Sequence, residues 1–298
     1  MQLVSYWLRE IRAPFLSLSV VLVFLGSSVA AAEGTFYFWR AVLAVVGLVA
    51  LHISVNLLNE YSDYRTGIDF DTSQTPFSGG SGVLIDGKIS PRSALVVGIT
   101  CFGVGLAIGI LFLWLTNIRF LPLMLVGGAS VVLYTDFLAR HSLGEIFAGL
   151  GLGLLPVLGA YFIHAGHYST AAMGVAVPAG ILTFNLLLIN EFPDVEADRK
   201  GGRRNLILTL GSDTAGRIYT ILMLAMYVWI AVAIGAGLIP FYCVAAILTV
   251  PVALKPMRWA WTGVKDRETM VPALGANVLT NLATQTLLGA GFLASKYL

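Results

Sequence analysis

Residues 38–58 read FWRAVLAVVGLVALHISVNLL and run straight into Asn59-Glu60-Tyr61-Ser62-Asp63-Tyr64-Arg65-Thr66-Gly67-Ile68-Asp69. The first part is long enough to cross a hydrocarbon core about 30 Å thick, which takes roughly 20 apolar residues per helical pass. The second part is a burst of acids where that pass ends. Working outward, hydropathy gives nine such stretches, at 14–32, 38–58, 93–115, 119–138, 143–163, 171–190, 216–236, 238–254 and 271–294. The pair within 216–254 is divided only by Gly235-Ala236-Gly237 and Pro240.

The rest of the chain agrees. Of its 298 residues, 57% are hydrophobic and 11% charged, whereas a soluble domain carries about 25% charged residues. That excludes a soluble globular domain and a disordered chain. Cys101 and Cys243 both lie in apolar runs, so neither reads as part of a disulfide scaffold. A net charge of +2 gives no reason to expect nucleic acid. The fold expected is all-α: one polytopic membrane domain over residues 1–298, with about nine transmembrane helices and a lipid bilayer as partner. Residues 1–12 (MQLVSYWLREIR) mix polar and apolar types and read as a short interfacial helix. Arg9 and Arg12, the apolar stretch and Ala30-Ala31-Ala32 imitate a signal peptide. The length of the run and the further passes favour a retained crossing.

With nine passes, all the Lys and Arg except Arg40, Arg119 and Lys296 fall on the side of the N-terminus, Lys265 among them. This bias predicts a cytoplasmic N-terminus. The acids are as lopsided, since only Glu33 lies on the other side. Charge of both signs is gathered on one face, which positive-inside sorting alone does not produce.

The sixth stretch ends in Asn190-Glu191-Phe192-Pro193-Asp194-Val195-Glu196-Ala197-Asp198. Asn59, Glu60 and Asp63 match Asn190, Glu191 and Asp194 at one offset, with an aromatic (Tyr61, Phe192) after each Asn-Glu. Two like segments in corresponding positions suggest an internal repeat facing a shared central cavity. Residues four apart share a helix face, so Asn59 should project with Asp63, and Asn190 with Asp194 and Asp198. Clustered carboxylates at a membrane boundary require cations, and hard oxygen ligands suit Mg²⁺ with substrate phosphates. Arg65, Lys200, Arg203 and Arg204 stand beside them, which adds groups for phosphate oxygens and points to a diphosphate. The plain alternative is solvated loop charge and helix caps. Two copies in register, each closing an apolar span, weigh against it.

These residues resemble the UbiA superfamily of intramembrane aromatic prenyltransferases, which carries an Asn/Asp-rich first motif and a second DxxxD motif on cytoplasmic loops. The second is intact as Asp194-x-x-x-Asp198. In the first, Gly67 stands where the ubiquinone branch has its last Asp, Asp69 comes two later and Glu60 replaces an Asp. That arrangement is similar to the menaquinone branch, as are Thr75-Pro76-Phe77-Ser78-Gly79-Gly80-Ser81-Gly82 and Gly144-Glu145 after Tyr134-Thr135. The resemblance implies a Mg²⁺-dependent transfer of a polyprenyl group from an allylic polyprenyl diphosphate to an aromatic acceptor, 1,4-dihydroxy-2-naphthoate in that branch. It implies that Asp63, Asp69, Asp194 and Asp198 hold Mg²⁺, with Asn59 and Asn190 orienting them. Arg65, Lys200, Arg203 and Arg204 would clamp the diphosphate, and Tyr61 and Tyr134 would face an allylic cation with their π-surfaces.

Other features are open to two readings. The Gly79–Gly82 stretch with Ser81 is either a lid over the diphosphate or a turn-rich connector. Glu145, at the start of an apolar span, is either an acceptor-site base or hydroxyl partner, or an acid favoured by the helix dipole. Asn277, Asn281 and Gln285 form one stripe on the last span, suited to interhelical hydrogen bonds. His52, upstream of Asn59, either lines the cavity or packs, whereas His164 and His167 fall on the far side. Gly144, Gly149, Gly151, Gly153 and Gly159 read as close-packing positions, since no strand precedes them to make a nucleotide loop. A secondary transporter also uses intramembrane acids and repeats, but its site sits near the bilayer midplane, while these acids cluster at one face. Other acceptors open to the family chemistry are geranylgeranylglyceryl phosphate, 4-hydroxybenzoate and chlorophyll- or haem-type rings.

Overall fold

The computed structural model describes residues 2–70, 72, 75–262 and 267–297; Lys265 of the basic-residue census lies outside them. The elements are α1 (Gln2–Glu10), α2 (Ala13–Ala32), α3 (Phe38–Thr66), α4 (Pro91–Leu115), α5 (Ile118–Leu133) and α6 (Gly144–Ala165). They continue with α7 (Thr170–Asn190), α8 (Val195–Lys200), α9 (Leu206–Leu210), α10 (Ser212–Gly235), α11 (Phe241–Thr262) and α12 (Arg267–Tyr297). No strand occurs among the described residues. Seven helices among them, α2, α3, α4, α6, α7, α10 and α11, are long and apolar enough to cross a membrane. The remaining two expected passes correspond to the shorter α5 and to α12, whose middle carries Asn277, Asn281 and Gln285. The expected 119–138 pass is cut at Leu133 because Thr135 and Asp136 follow it.

Local chemistry sets the ends. Gly67, at φ 83°, terminates α3 in the left-handed conformation that costs a glycine little. Ser90 and Ser169 accept backbone N–H bonds at the starts of α4 and α7. Gly235 closes α10 and Pro240 precedes α11, so the weak turn signal is the true break. In α6, Pro156 cannot donate to Leu152 and crowds its carbonyl. The helix loosens into a π-turn over Leu150–Leu154, with Leu152 at φ −119°, ψ 30°.

The helices divide into two parts. α2, α6, α7, α10, α11 and α12 form the continuous core, while α3, α4 and α5 close around a cavity beside it. Lipid tails are as apolar as leucine, so this core is held by close packing rather than by the hydrophobic effect. Glycines make that possible. A Cβ on Gly26 of α2 would stand 2.3 Å from the Val157 carbonyl of α6. One on Gly149 or Gly153 would meet the α7 backbone at 2.8 or 2.6 Å, so the packing reading of this series holds for both. Leu22, Leu25, Val29 and Ala30 are fully buried, so the stretch that imitates a leader is part of the core. Asn277 accepts from the Tyr219 hydroxyl of α10 at 2.6 Å, the interhelical use expected of the α12 stripe. Cys243 is buried.

Candidate active site

One cavity of about 360 Å³ opens among α2 to α7. One part of it is lined by apolar residues and glycines of α3, α4, α5 and α6. Its mouth is lined by Asn59, Asp63, Asp69, Tyr134, Glu145, Asn190, Asp194, Asp198, Arg203 and Arg204. The acids of both motifs therefore meet in one chamber. The route differs from the single helix face expected for the second motif: α7 stops at Asn190, Pro193 interrupts the chain, and Asp194 opens the short α8. A turn, rather than continuous helix, brings Asp194 and Asp198 to the same wall as Asn190.

Arg203 sits at the centre. Its guanidinium donates to Asp63, to Asn59 Oδ1 at 3.0 Å and to Asp198 Oδ1 at 3.3 Å, joining the α3 motif to the α8 motif. Asn59 donates to Asp63 Oδ2 at 2.8 Å, and Asn205 to Asp198 Oδ2 at 2.9 Å. Arg204 reaches the cavity because its backbone pairs with Ala139 and Ser142, at 2.9 and 3.0 Å. These bonds tie the segment after Tyr134 to the second motif. Asp194 accepts from the Gly79 N–H at 3.2 Å. Gly80, at φ 71°, lets the loop backbone lie on Asp69, where a Cβ would stand 2.7 Å from Oδ1.

The electrostatics are those of buried acids crowded together. Burial, then Glu60 and Asp63, push Asp69 up to about 8. Burial and Asp198 push Asp194 up to about 7. Burial also raises Asp198 and, with Glu145, holds Glu191 well above the carboxylate range. Burial alone would lower Arg203, but Asp63 and Asp198 overcome it and hold the guanidinium above its ordinary value. Tyr134 is raised by burial and by Glu191. A divalent cation would relieve this crowding.

Four expected residues lie off the cavity. Tyr61 and Arg65 each stand two positions from Asp63, about 200° round a helix. They stack on each other instead, 5.7 Å from guanidinium to ring, with Arg65 exposed. Lys200 is two past Asp198 and likewise exposed. Ser81 is buried, yet it faces Glu10 and Glu60 and not the chamber. Glu145 does line the chamber; its Oε1 accepts the Leu206 N–H at 2.6 Å, while no protein donor reaches its Oε2. His52 lines the chamber too and shares a 2.9 Å bond with Ser19. His164 is held by Ser27 and Tyr37, outside the chamber. Sequence reasoning missed Arg12, Asn205 and Glu191 on the chamber wall. Only Glu191 had left a signal, as the match to Glu60 in the second copy.

Residues 19–276 match the UbiA prenyltransferase family. The chain belongs to that family. It is 28% identical over 254 residues to the 1,4-dihydroxy-2-naphthoate octaprenyltransferase of Bacillus subtilis strain 168, covering 83% of this chain and 79% of the relative. It is 26% identical over 298 residues to the enzyme of the same name from Escherichia coli K12, covering 98% and 96%. The fold is that of a UbiA homologue from Archaeoglobus fulgidus bound to GPP and Mg²⁺, with TM-score 0.62, 17% identity and coverage of 98% and 100%. The chain is thus an integral multi-pass prenyltransferase, and the transporter reading is not favoured.

Proposed function

We propose that this enzyme transfers a polyprenyl group from an allylic polyprenyl diphosphate to 1,4-dihydroxy-2-naphthoate, with Mg²⁺ as cofactor. The observation that carries the reading is the shared chamber. Acids of two separate motifs and the partly buried Arg203 that joins them line the polar mouth of a cavity whose other walls are apolar. The names of the curated relatives supply the acceptor. The mouth with the N-terminus is assigned to the cytoplasmic side by the distribution of Lys and Arg, and α1, with Leu3 and Val4 exposed, lies in the interface.

The residues fit a hard divalent ion. Asp194 Oδ1 and Asn190 Oδ1 are buried and no protein donor reaches them, and all the candidate donors are oxygens. Among the described residues no three acids are already gathered as a metal cluster, since Arg203 stands between Asp63 and Asp198. Asp63, Asp69, Asp194 and Asp198 would hold Mg²⁺, with Asn59 and Asn190 orienting them. Bound there, the ion supplies positive charge that stabilises the departing pyrophosphate.

The chain's own groups do the rest. Arg203 and Arg204 present N–H donors to phosphate oxygens as the allylic C–O bond breaks and negative charge moves onto pyrophosphate. The apolar walls of α3 to α6 take the prenyl tail and keep water from the cation. Tyr134, with its hydroxyl kept protonated, offers a π-face to that cation. Glu145, whose carboxylate lies beside that of Glu191, presents Oε2 to a ring hydroxyl of the acceptor. The electron-rich ring carbon then bonds to the allylic carbon, and loss of the proton or of the carboxylate (as CO2) from that ring carbon restores the aromatic ring and completes the transfer. The test is Mg²⁺-dependent pyrophosphate release with a polyprenyl diphosphate and 1,4-dihydroxy-2-naphthoate, 4-hydroxybenzoate and geranylgeranylglyceryl phosphate offered side by side. Prenylated naphthoate is the expected product; turnover with either other acceptor alone overturns the assignment.

A further inference from the structure

The first motif contains an acid that faces away from the chamber. Glu60 is 1% exposed, and its partners come from two distant parts of the chain. Arg12 donates to its Oε1 through Nε at 3.0 Å and Nη2 at 2.8 Å. The Ser81 N–H donates to Oε2 at 2.9 Å. Ser81 is held on every side by the N-terminal segment: its hydroxyl donates to Glu10 Oε2 at 2.5 Å and its carbonyl accepts from Arg9 Nη2 at 2.9 Å. The Ser81 hydroxyl also accepts from the Val83 N–H, at 3.1 Å. Two residues upstream of Ser81, the Gly79 N–H reaches Asp194 and the Gly80 backbone lies against Asp69.

The backbone at Arg12 has the form such a junction requires. Arg12 lies at φ 51°, ψ 50°, in the left-handed region that a non-glycine residue rarely occupies. That turn joins α1 to α2, and the guanidinium there meets Glu60. Asn56 of α3 fastens the same junction by donating to the Ile11 carbonyl at 3.0 Å. Strain at a position so over-determined by partners marks a constrained functional element.

We propose that Arg12 is a positioning residue which, through Glu60 and with Glu10, fixes Ser81 and so holds the Gly79–Gly80 backbone against the two motif acids. Arg12 thereby shapes the diphosphate site through its partner rather than by gripping the substrate. The Glu60 position in the first motif then serves architecture and not metal binding. The loop is a pinned wall of the mouth, which decides between the lid and connector readings against a free lid.

This inference rests on the prenyl-transfer reading for its kinetic consequence only. The test uses the full chain in lipid nanodiscs with Arg12→Gln, Arg12→Lys and Ser81→Ala. Hydrogen exchange of the 75–85 segment, read by mass spectrometry without substrate, should rise about tenfold in Arg12→Gln and less in Ser81→Ala. KM for the prenyl diphosphate should rise about tenfold in Arg12→Gln while kcat falls less than about threefold, and Arg12→Lys should recover part of both. A raised KM with unchanged exchange would make Arg12 a direct diphosphate ligand and overturn the proposal. So would unchanged exchange with unchanged kinetics. Should Arg12→Gln fail to fold, Ser81→Ala decides by the same criteria. Absence of prenyl transfer in the wild type would refute the proposed function, while the exchange comparison still decides the positioning.

Discussion

Replacing Arg203 by Ala tests whether one guanidinium and a divalent ion serve the same acids. The guanidinium is 20% exposed and bridges Asp63 and Asp198, themselves 6% and 3% exposed. Removing one partner of a buried ion pair costs about 3–5 kcal/mol because the other charge is left uncompensated. The partial exposure of Arg203 puts the expected loss at the lower end, about 3 kcal/mol. At about 2.1 cal/mol/K of unfolding entropy per residue, that is a fall in Tm of about 5 °C for a chain of this size. The assay is thermal unfolding by intrinsic fluorescence in detergent, with EDTA or with saturating Mg²⁺. Mg²⁺ at about a hundred times its Kd returns about 2.7 kcal/mol, so it should restore most of the variant's loss. It should stabilise the wild type less, because Arg203 already occupies the acids there. A variant that melts in EDTA within about 2 °C of the wild type would refute this reasoning, as would equal Mg²⁺ shifts in both proteins.

Asp63→Asn and Asp194→Asn should each lower kcat about a thousandfold with the fold retained, whereas Arg65→Ala, off the chamber, should stay within about threefold, all read by pyrophosphate release. Glu10 is fully buried and burial pushes it up to about 7 from 4.5. A raised acid pKa makes the folded state hold its proton longer, so stability falls as pH rises from about 4.5 to about 7, by about 3 kcal/mol in all. Glu10→Gln should therefore melt higher than the wild type at pH 8 and alike at pH 4.5. Gly127 lines the chamber and a Cβ there would meet nothing within 4 Å. Gly127→Leu should fill that space and lower kcat/KM for long polyprenyl diphosphates about tenfold relative to geranyl diphosphate.

The fold was readable because bilayer thickness imposes a length on every pass, and the chain repeats that length. The two passes that fall short failed for local reasons, polar residues after Leu133 and the amide stripe in α12. The acid motifs were readable because Asn59 and Asp63 are one turn apart on a real helix, and the second copy announced itself by repetition. Its actual geometry was hidden, since Pro193 converts the expected helix into a turn. Basic neighbours were over-assigned for a related reason: adjacency in sequence places Arg65 and Lys200 beside acids, but two residues of helix turn them to the opposite side. Arg12 and Glu10 had no local signal at all. Arg9 and Ser81 are 72 residues apart, and only folding makes them neighbours.

Both motifs are proposed to bind one metal–diphosphate unit in one chamber. Crystals grown with Mn²⁺ and a polyprenyl diphosphate, measured at the manganese edge, locate the ions directly. Anomalous density flanked by Asp63 and Asp69 on one side and by Asp194 and Asp198 on the other is the predicted result. Manganese bound at one motif alone, or away from the chamber while diphosphate is held, would contradict it.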